Sequence, residues 1–591
     1  MYPIYEELLH REIIHADEVP CQVLHEEEKL YCLSFYDKIS CINRWCLKLR
    51  ERNADMGKYL NSRVPFEVYK EIAGTRFFVD KSLLLEDILN AAEIDGQKYL
   101  CITRPRRFGK SVMAGMVAAF LGKAVDAGDL FERLYIAGKE NYKAHLNKHN
   151  VIYIDFSEVP RDCSNYRQYI ARIQDGMNND LVRAYDDLVI DTTRATWDIM
   201  TDIFQEKGEK FVFVMDEWDA VFHMSFISQE DKEDYLLFLK SLLKGKVYVE
   251  LAYMTGVLPI AKYSSGSELN MFVEYDMTVM ERFSDCFGFL EDEVDTLFAI
   301  YLKTTKEPKI SREELEMWYD GYYTATGARL YNPRSVVCAL VNNQLANYWT
   351  SSGPYDEIFF YVKNNVDDIR DDLVLMIAGE GVEAKIRNYA AVSMELNTKD
   401  EIYSAMVIYG LLTYMDGKVF IPNKELMDKF NAFLMNKESL GYVYRLANAS
   451  KRMLAATLCG NTDVMAEILE FAHNTETPIF SYNSEIELSA VVNLVYLAAR
   501  DKYRVEREDK AGKGYVDFIF YPERKNGDAL ILELKVDSTP EEAIMQIKDK
   551  NYALRFKGKL GEKPKYKGRI LAVGISYSTK TKEHSCKVEV L

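Results

Sequence analysis

KYLCITRPRRFGKSVMAGMVAAFLGKA, residues 98–124, decides how the first half of this chain is built. KYLCIT (98–103) is a β-rich apolar run, and VMAGMVAAFLGKA (112–124) reads as a helix. Between them RPRRFGKS (104–111) is a tight loop ending Gly-Lys-Ser. Strand, tight loop and helix together form a setting in which backbone N–H groups and a helix N-terminus hold phosphate. There Gly109 lets the backbone approach closely. Lys110 reaches the β- and γ-phosphates, and the Ser111 hydroxyl goes to Mg²⁺. Arg107 and Phe108 complete the candidate binding loop. The usual pattern is G-x-x-x-x-G-K-[ST], and here Arg104 stands where the first Gly belongs. A bare Gly-Lys-Ser is common, so the surroundings decide.

Working outward, FVFVM (211–215) ends in Asp216-Glu217, an apolar strand finishing in two carboxylates. In nucleotide hydrolysis the first acid holds the Mg²⁺ shell and the second orients the attacking water. Strands also end in acidic turn residues for no chemical reason. Thr255 closes VYVELAYMT (247–255), where a hydroxyl can sense a γ-phosphate or simply form a turn. VIYIDF (151–156) supplies a fourth β-rich run. Helical stretches lie between these strands, which predicts crossovers and a mainly parallel sheet with helices on both faces. This α/β unit is assigned to residues 61–280. Residues 1–60 are expected to be a helical N-terminal extension. Residues 281–480 read as a mostly helical lid or winged-helix-like region, with one strand-like interruption at KVFIPNKEL (418–426).

From Ser481 the expected order is a helix (485–500), three strands (503–508, 515–522 and 529–536), a helix (540–556) and a strand (569–578), a compact αβββαβ unit over residues 481–591. Asp517 lies in YVDFIF, and Glu533 and Lys535 lie in ILELKV. Residues i and i+2 of a strand share a face. A hairpin through PERKNGD sets Asp517 on the neighbouring strand. Two carboxylates and an ammonium then converge. Carboxylate oxygens suit Mg²⁺, a bound metal polarises a phosphodiester and acidifies water, and Lys535 offsets developing charge. Glu487 in the preceding helix is a candidate further metal acid, and Gln546 in the following helix a candidate hydrogen-bonder. A Glu–Lys pair on a solvated strand is the bland alternative, but charges inside an apolar run need a partner or a metal.

Composition narrows the classes. With 591 residues the chain is too long for one core. At 48% apolar and 28% charged it reads as an ordinary globular protein. No stretch approaches a membrane span, and MYPIYEELLHREIIHADE lacks the basic and apolar parts of a secretory signal. The ten Cys form no C-x-x-C, which suits reduced thiols in a cytoplasm. The eight His are read as showing no H-x-x-x-H or Cys/His zinc spacing, there is no G-x-S-x-G, and the 40 Tyr are read as packing and surface anchors. Net charge is −18, against general nucleic-acid coating. Ser481–Leu591 nevertheless holds 21 Lys+Arg against 17 Asp+Glu, while the preceding 480 residues hold 53 against 75. A nucleic-acid role, if present, belongs to the tail.

PFEVYKEI (65–72), FFVDKS (77–82), RPRRFGKS, VMDEWD (214–219), TGVLPIAK (255–262), FGF (287–289), WYDGYY (318–323), YNPRS (331–335) and IPNKE (421–425) resemble the bacterial AAA-ATPase-like proteins that end in a PD-(D/E)XK nuclease domain. The resemblance covers roughly residues 60–580, and its tail follows GKGYVDFIFYP, ALILELKV and EEAIMQIKDKNYA in order. It implies a P-loop NTPase fold with ATP as ligand, a restriction-endonuclease-like tail, and Arg104 as the family's own version of the loop. Lys110, Ser111, Asp216 and Glu217 carry over. Arg104, Arg106 and Arg107 either touch phosphate or salt-bridge to the acidic body. EIELSAVVNLVY lacks the aromatic-His pair this helix often carries, so Glu487 and Glu485 stay alternatives. WYDGYY is read as a structural turn without chemistry.

The sequence therefore predicts an ATP-binding protein with ATP and Mg²⁺ as cofactors. Catalytic candidates are Glu217, Asp517, Glu533, Lys535 and Gln546. Nucleotide-binding candidates are Arg107, Phe108, Gly109, Lys110, Ser111, Asp216 and Thr255. Metal candidates are Ser111, Asp216, Glu487, Asp517 and Glu533. The expected partner is nucleic acid, DNA before RNA, with no membrane and with homo-oligomers left open. The alternative is a nucleotide-dependent switch acting through protein partners, its nuclease domain inactive or binding-only.

Overall fold

A computed structural model describes residues 57–161, 163–260, 268–349, 366–377, 379–386, 398–436, 442–474, 485–511, 514–522, 526–556 and 568–591. The expected N-terminal extension lies, up to residue 56, outside the described residues.

Five parallel strands form the first sheet: β1 (Tyr99–Thr103), β2 (Asn150–Asp155), β3 (Phe211–Asp216), β4 (Val249–Gly256) and β5 (Val273–Tyr275), in the order β2-β3-β4-β1-β5. Burial on both faces explains the near-continuous apolar runs. Cys101, Ile152, Ile154, Phe213 and Met215 enter one core cluster. Their neighbours Leu100, Ile102, Val151, Val212 and Val214 enter the cluster on the other face. β5 is a strand that sequence reading does not predict; three residues are too short for a periodicity to register. Helix α1 (Lys110–Leu121) follows β1 directly and is buried along most of its length.

The middle region is helical as expected, with two small sheets. Tyr322–Tyr323 pairs with Arg329–Leu330, and Lys418–Phe420 pairs with both Val382–Glu383 and Thr413–Met415. Only KVF of the expected strand-like stretch is strand; Lys424 already starts the helix Lys424–Asn436.

Helix α2 (Glu485–Val495) opens the C-terminal unit, followed by β6 (Tyr503–Ala511), β7 (Gly514–Pro522), β8 (Ala529–Val536), helix α3 (Pro540–Asp549), β9 (Ile570–Tyr577) and β10 (His584–Val590). The five strands form a mixed sheet in chain order, β8 and β9 parallel and the other pairs antiparallel. β10 is one strand more than the expected αβββαβ order. One face, with Phe518, Leu530, Leu532 and Val573, continues the core of the middle region. The other face, with Ile519, Ile531 and Ala572, packs on Ile544 and Ile547 of α3. Among the described residues no helix is long and apolar enough to cross a membrane.

His145 and His149 stand four apart, the H-x-x-x-H spacing that sequence reading passed over. Their Nδ1 and Nε2 atoms meet at 3.1 Å. Their outer nitrogens reach Glu93 at 3.4 Å and Glu250 at 3.1 Å. This is a linear Glu–His–His–Glu chain, and among the described residues no group of three or more His, Cys, Asp or Glu converges as a metal site.

Candidate active sites

The phosphate loop leaves the buried end of β1 and turns twice through left-handed backbone, at Arg107 (φ 69°) and at Gly109 (φ 89°). Such a conformation is open to Gly, while at Arg107 it carries strain of about 1–3 kcal/mol. Gly109 is the N-cap of α1, so the helix opens at Lys110. Lys110 is buried, and its Nζ donates to the Arg104 carbonyl at 3.0 Å and the Pro105 carbonyl at 3.1 Å. Burial pushes its ammonium pKa down, against the pull of Asp219, Glu217 and Asp216.

Asp216 ends β3 beside it, 1% exposed. Burial raises its carboxyl pKa, opposed by hydrogen bonds from Thr255 and Ser111. The Glu217 backbone N–H donates to the same carboxylate at 3.0 Å. Glu217 itself takes φ 48° and is half-buried, with its pKa raised chiefly by desolvation. Thr255 is fully buried and bonds to Asp216. Lys110, Ser111, Asp216, Glu217 and Thr255 are thus brought together at the ends of β1, β3 and β4.

Arg107, Phe108, Gly109, Lys110, Ser111 and Glu217 line one end of a cavity of about 630 Å³. Its other walls are mostly apolar and come from Phe78 and Val79 and, in the middle region, from Phe289, Arg334 and Val337, among others. Backbone N–H groups, a helix N-terminus, a lysine and an acid at one end, with a mostly apolar remainder, suit a ligand with phosphates and a flat organic part.

Arg104 departs from both sequence alternatives. It is 1% exposed, does not line the cavity, and among the described residues forms no salt bridge, although Asp276 and Asp285 act on it through charge. Its guanidinium donates to the carbonyls of Thr103 and Tyr275, each at 2.7 Å, and of Phe283 at 2.8 Å, lying over the Phe287 ring. Desolvation lowers its pKa to about 10. Asp219 is a second residue sequence reading missed. Its carboxylate accepts the backbone N–H groups of Val257 (3.2 Å) and Leu258 (2.9 Å), joining the ends of β3 and β4. A third acid, three residues past Asp216 in VMDEWD, was the available signal.

In the C-terminal unit, strand alternation sends Leu530, Leu532 and Leu534 to one face and Ile531 to the other. Glu533 and Lys535 follow Ile531 toward α3. Lys535 Nζ lies 3.3 Å from Glu533 Oε1, and Gln546 of α3 donates to the same oxygen. On β7, Asp517 accepts the Leu534 backbone N–H at 2.7 Å. Glu533 is 2% exposed, and its pKa is raised to about 7, first by burial and next by Asp517, against Lys535. Among the described residues its second oxygen, Oε2, is buried without a hydrogen-bond partner. An orphaned buried carboxylate oxygen beside a second carboxylate fits a hard divalent cation. Mg²⁺ is usually held by one or two carboxylates plus water and substrate phosphate, so two acids suffice. Glu487 lies on α2, with its side chain outside what the structure describes.

Residues 66–265 match a family model described as "Predicted AAA-ATPase". Residues 489–584 match one described as "PD-(D/E)XK nuclease superfamily". No curated protein matches the chain. Among solved structures, the Walker-type ATPase PABY2304 of Pyrococcus abyssi is 14% identical at a TM-score of 0.33, the alignment covering 60% of this chain and 99% of that one. The Aeropyrum pernix ORC2 protein, in ADPNP and ADP complexes, is 13% identical at 0.27, covering 60% and 94%. The Aeropyrum pernix ORC1 protein, in complex with DNA, is 11% identical at 0.22, covering 59% and 90%. By its two family matches, the chain joins a domain of the predicted AAA-ATPase family to a domain of the PD-(D/E)XK nuclease superfamily.

Proposed function

We propose that this protein binds ATP through its N-terminal sheet and cuts nucleic acid, DNA before RNA, with a Mg²⁺-dependent C-terminal site. The observation that carries the reading is Glu533: a buried acid held by Lys535 and Gln546, with Asp517 adjoining and one oxygen unpartnered among the described residues. Such a carboxylate is expensive unless it meets a cation.

In this reading Arg107, Gly109, Lys110 and Ser111 hold the nucleotide phosphates, Phe108 fixes the loop, and Ser111 and Asp216 share its metal. Thr255 holds Asp216 in place, and Glu217 is the acid that orients water. At the tail, Asp517 and Glu533 hold the ion, joined by Glu487 on α2. A bound divalent ion there supplies Lewis acidity toward a phosphodiester and a lowered pKa for water. Lys535 and Gln546 orient the Glu533 carboxylate, and Lys535 adds positive charge where negative charge develops. A cytoplasmic setting goes with this reading: Cys101, Cys163, Cys286, Cys338, Cys459 and Cys586 stand as free thiols, which suits a reducing compartment.

The test is cleavage of labelled DNA and RNA with Mg²⁺, with and without ATP. Lys535→Ala is expected to lose cleavage by about a hundredfold or more while the chain still binds nucleotide. Nucleotide binding with no cleavage under any divalent metal would favour the switch acting through protein partners. Lys110→Ala is expected to weaken ATP binding by about a hundredfold with the fold intact, because it removes the ammonium and leaves two loop carbonyls that water can reach through the cavity. An unchanged nucleotide titration on folded Lys110→Ala would move the nucleotide elsewhere.

A further inference from the structure

Three motifs, WYDGYY, YNPRS and IPNKE, have no role in the chemistry above, and all three meet behind the phosphate loop. WYDGYY ends the helix Arg312–Tyr319 and turns at Gly321, φ 105°. A side chain on Gly321 would collide with the Pro422 carbonyl of IPNKE, so the two segments touch through backbone. Tyr322 then sets its ring edge-on to Phe108 of the loop, centroids 5.0 Å apart. YNPRS opens the helix Pro333–Asn342, with Asn332 capping Ser335 at 3.1 Å, and that helix walls the cavity through Arg334 and Val337.

Glu425, the last residue of IPNKE, ties these parts together. It is 2% exposed. Its Oε2 accepts the Ser335 hydroxyl at 2.8 Å, and its Oε1 accepts the Trp349 backbone N–H at 2.6 Å. The fully buried Trp349 indole donates in turn to the Arg106 carbonyl at 2.9 Å. A second carbonyl of the loop, Phe108, accepts the Gly288 N–H at 3.3 Å.

In a trans peptide the N–H points opposite the C=O. Holding the Arg106 and Phe108 carbonyls outward therefore turns the N–H groups of Arg107 and Gly109 the other way, and both residues line the cavity. Successive N–H groups turned to one side make an anion-binding hollow. We propose that Trp349 and Glu425 are positioning residues of the nucleotide site: Glu425 seats Trp349, and Trp349 orients the loop's N–H groups toward phosphate. The proposal rests on the reading of that cavity as a nucleotide site. Trp349 and Glu425 themselves lie outside the stretch matched to the ATPase family.

The experiment titrates the full chain with a fluorescent ATP analogue plus Mg²⁺ and records the apo thermal midpoint alongside. Trp349→Phe keeps an aromatic ring and removes the donor. It is expected to weaken affinity about fivefold, the worth of one hydrogen bond, with the midpoint moved by no more than about 3 °C. Glu425→Gln retains an acceptor for Trp349 and a partner for Ser335 and is expected to bind within about twofold of the unaltered chain. Glu425→Ala is expected to bind at least as poorly as Trp349→Phe. If Trp349→Phe binds as the unaltered chain does while Lys110→Ala does not bind, the positioning role is overturned and the nucleotide site stands. If the unaltered chain binds no analogue, the nucleotide reading falls and takes the proposal with it.

Discussion

Glu533→Gln is expected to do two opposite things at once: cleavage falls on the order of a thousandfold, and the fold becomes more stable at neutral pH. Activity is lost because the amide cannot serve as an anionic ligand beside Asp517. Stability rises because the folded protein suffers from this carboxylate. Its pKa is raised from 4.5 to about 7 by burial and by Asp517. The folded chain keeps the proton up to about pH 7, whereas the unfolded chain releases it near 4.5. Between those values the folded state binds more protons, so stability falls as pH rises across that window and stays low above it. The shift corresponds to roughly 3 kcal/mol. The amide keeps the bonds from Lys535 and Gln546 and carries no charge to desolvate. Thermal midpoints in EDTA are therefore expected to be several degrees higher for Glu533→Gln at pH 8 and nearly equal at pH 4.5. Added Mg²⁺ is expected to narrow the gap at pH 8, because ligand binding to the folded state stabilises the unaltered chain. Equal midpoints at both pH values together with retained cleavage would show that the acid is an ordinary strand residue.

Arg104→Gly restores the glycine of the usual phosphate-loop pattern and is expected to wreck the site rather than improve it. The guanidinium is the donor to three buried carbonyls, those of Thr103, Tyr275 and Phe283. It thereby fastens the edge strand β5 and the turn at Phe283 to the end of β1. Each buried acceptor left without a donor costs about 1–3 kcal/mol, and together about 3–5 kcal/mol is expected. The thermal midpoint should drop by roughly 10 °C, with nucleotide binding lost in whatever fraction stays folded. Arg104→Lys should rescue little, since one ammonium cannot span the fork of the guanidinium. A soluble Arg104→Gly chain that binds ATP normally would return Arg104 to a surface role.

These two residues mark the limit of what the sequence discloses. At Glu533 the strand's period of two, the apolar run around the charges and the helices before and after were all visible in ILELKV and its neighbours. The pairing of Asp517 with the Leu534 N–H follows from the short hairpin. At Arg104 the sequence offers only an arginine in a basic loop. Phosphate contact and surface ion pair look equally natural there, because two of its three carbonyl partners, Tyr275 and Phe283, lie more than 170 residues away. The same holds for Trp349 and Glu425, and for β5, too short to announce itself.

Local pattern by itself determined the parallel sheet, the strand–loop–helix around Gly109–Ser111, the two acids closing β3 and the shared face of Glu533 and Lys535, since each depends on spacing within one or two adjacent elements. Only the tertiary structure decided which side chains hold the loop from behind, that Arg104 is interior, and that the tail's sheet shares a core with the middle region. Those outcomes depend on desolvation and on hydrogen bonds between segments that only folding brings into contact, and neither quantity has a signature in residue order.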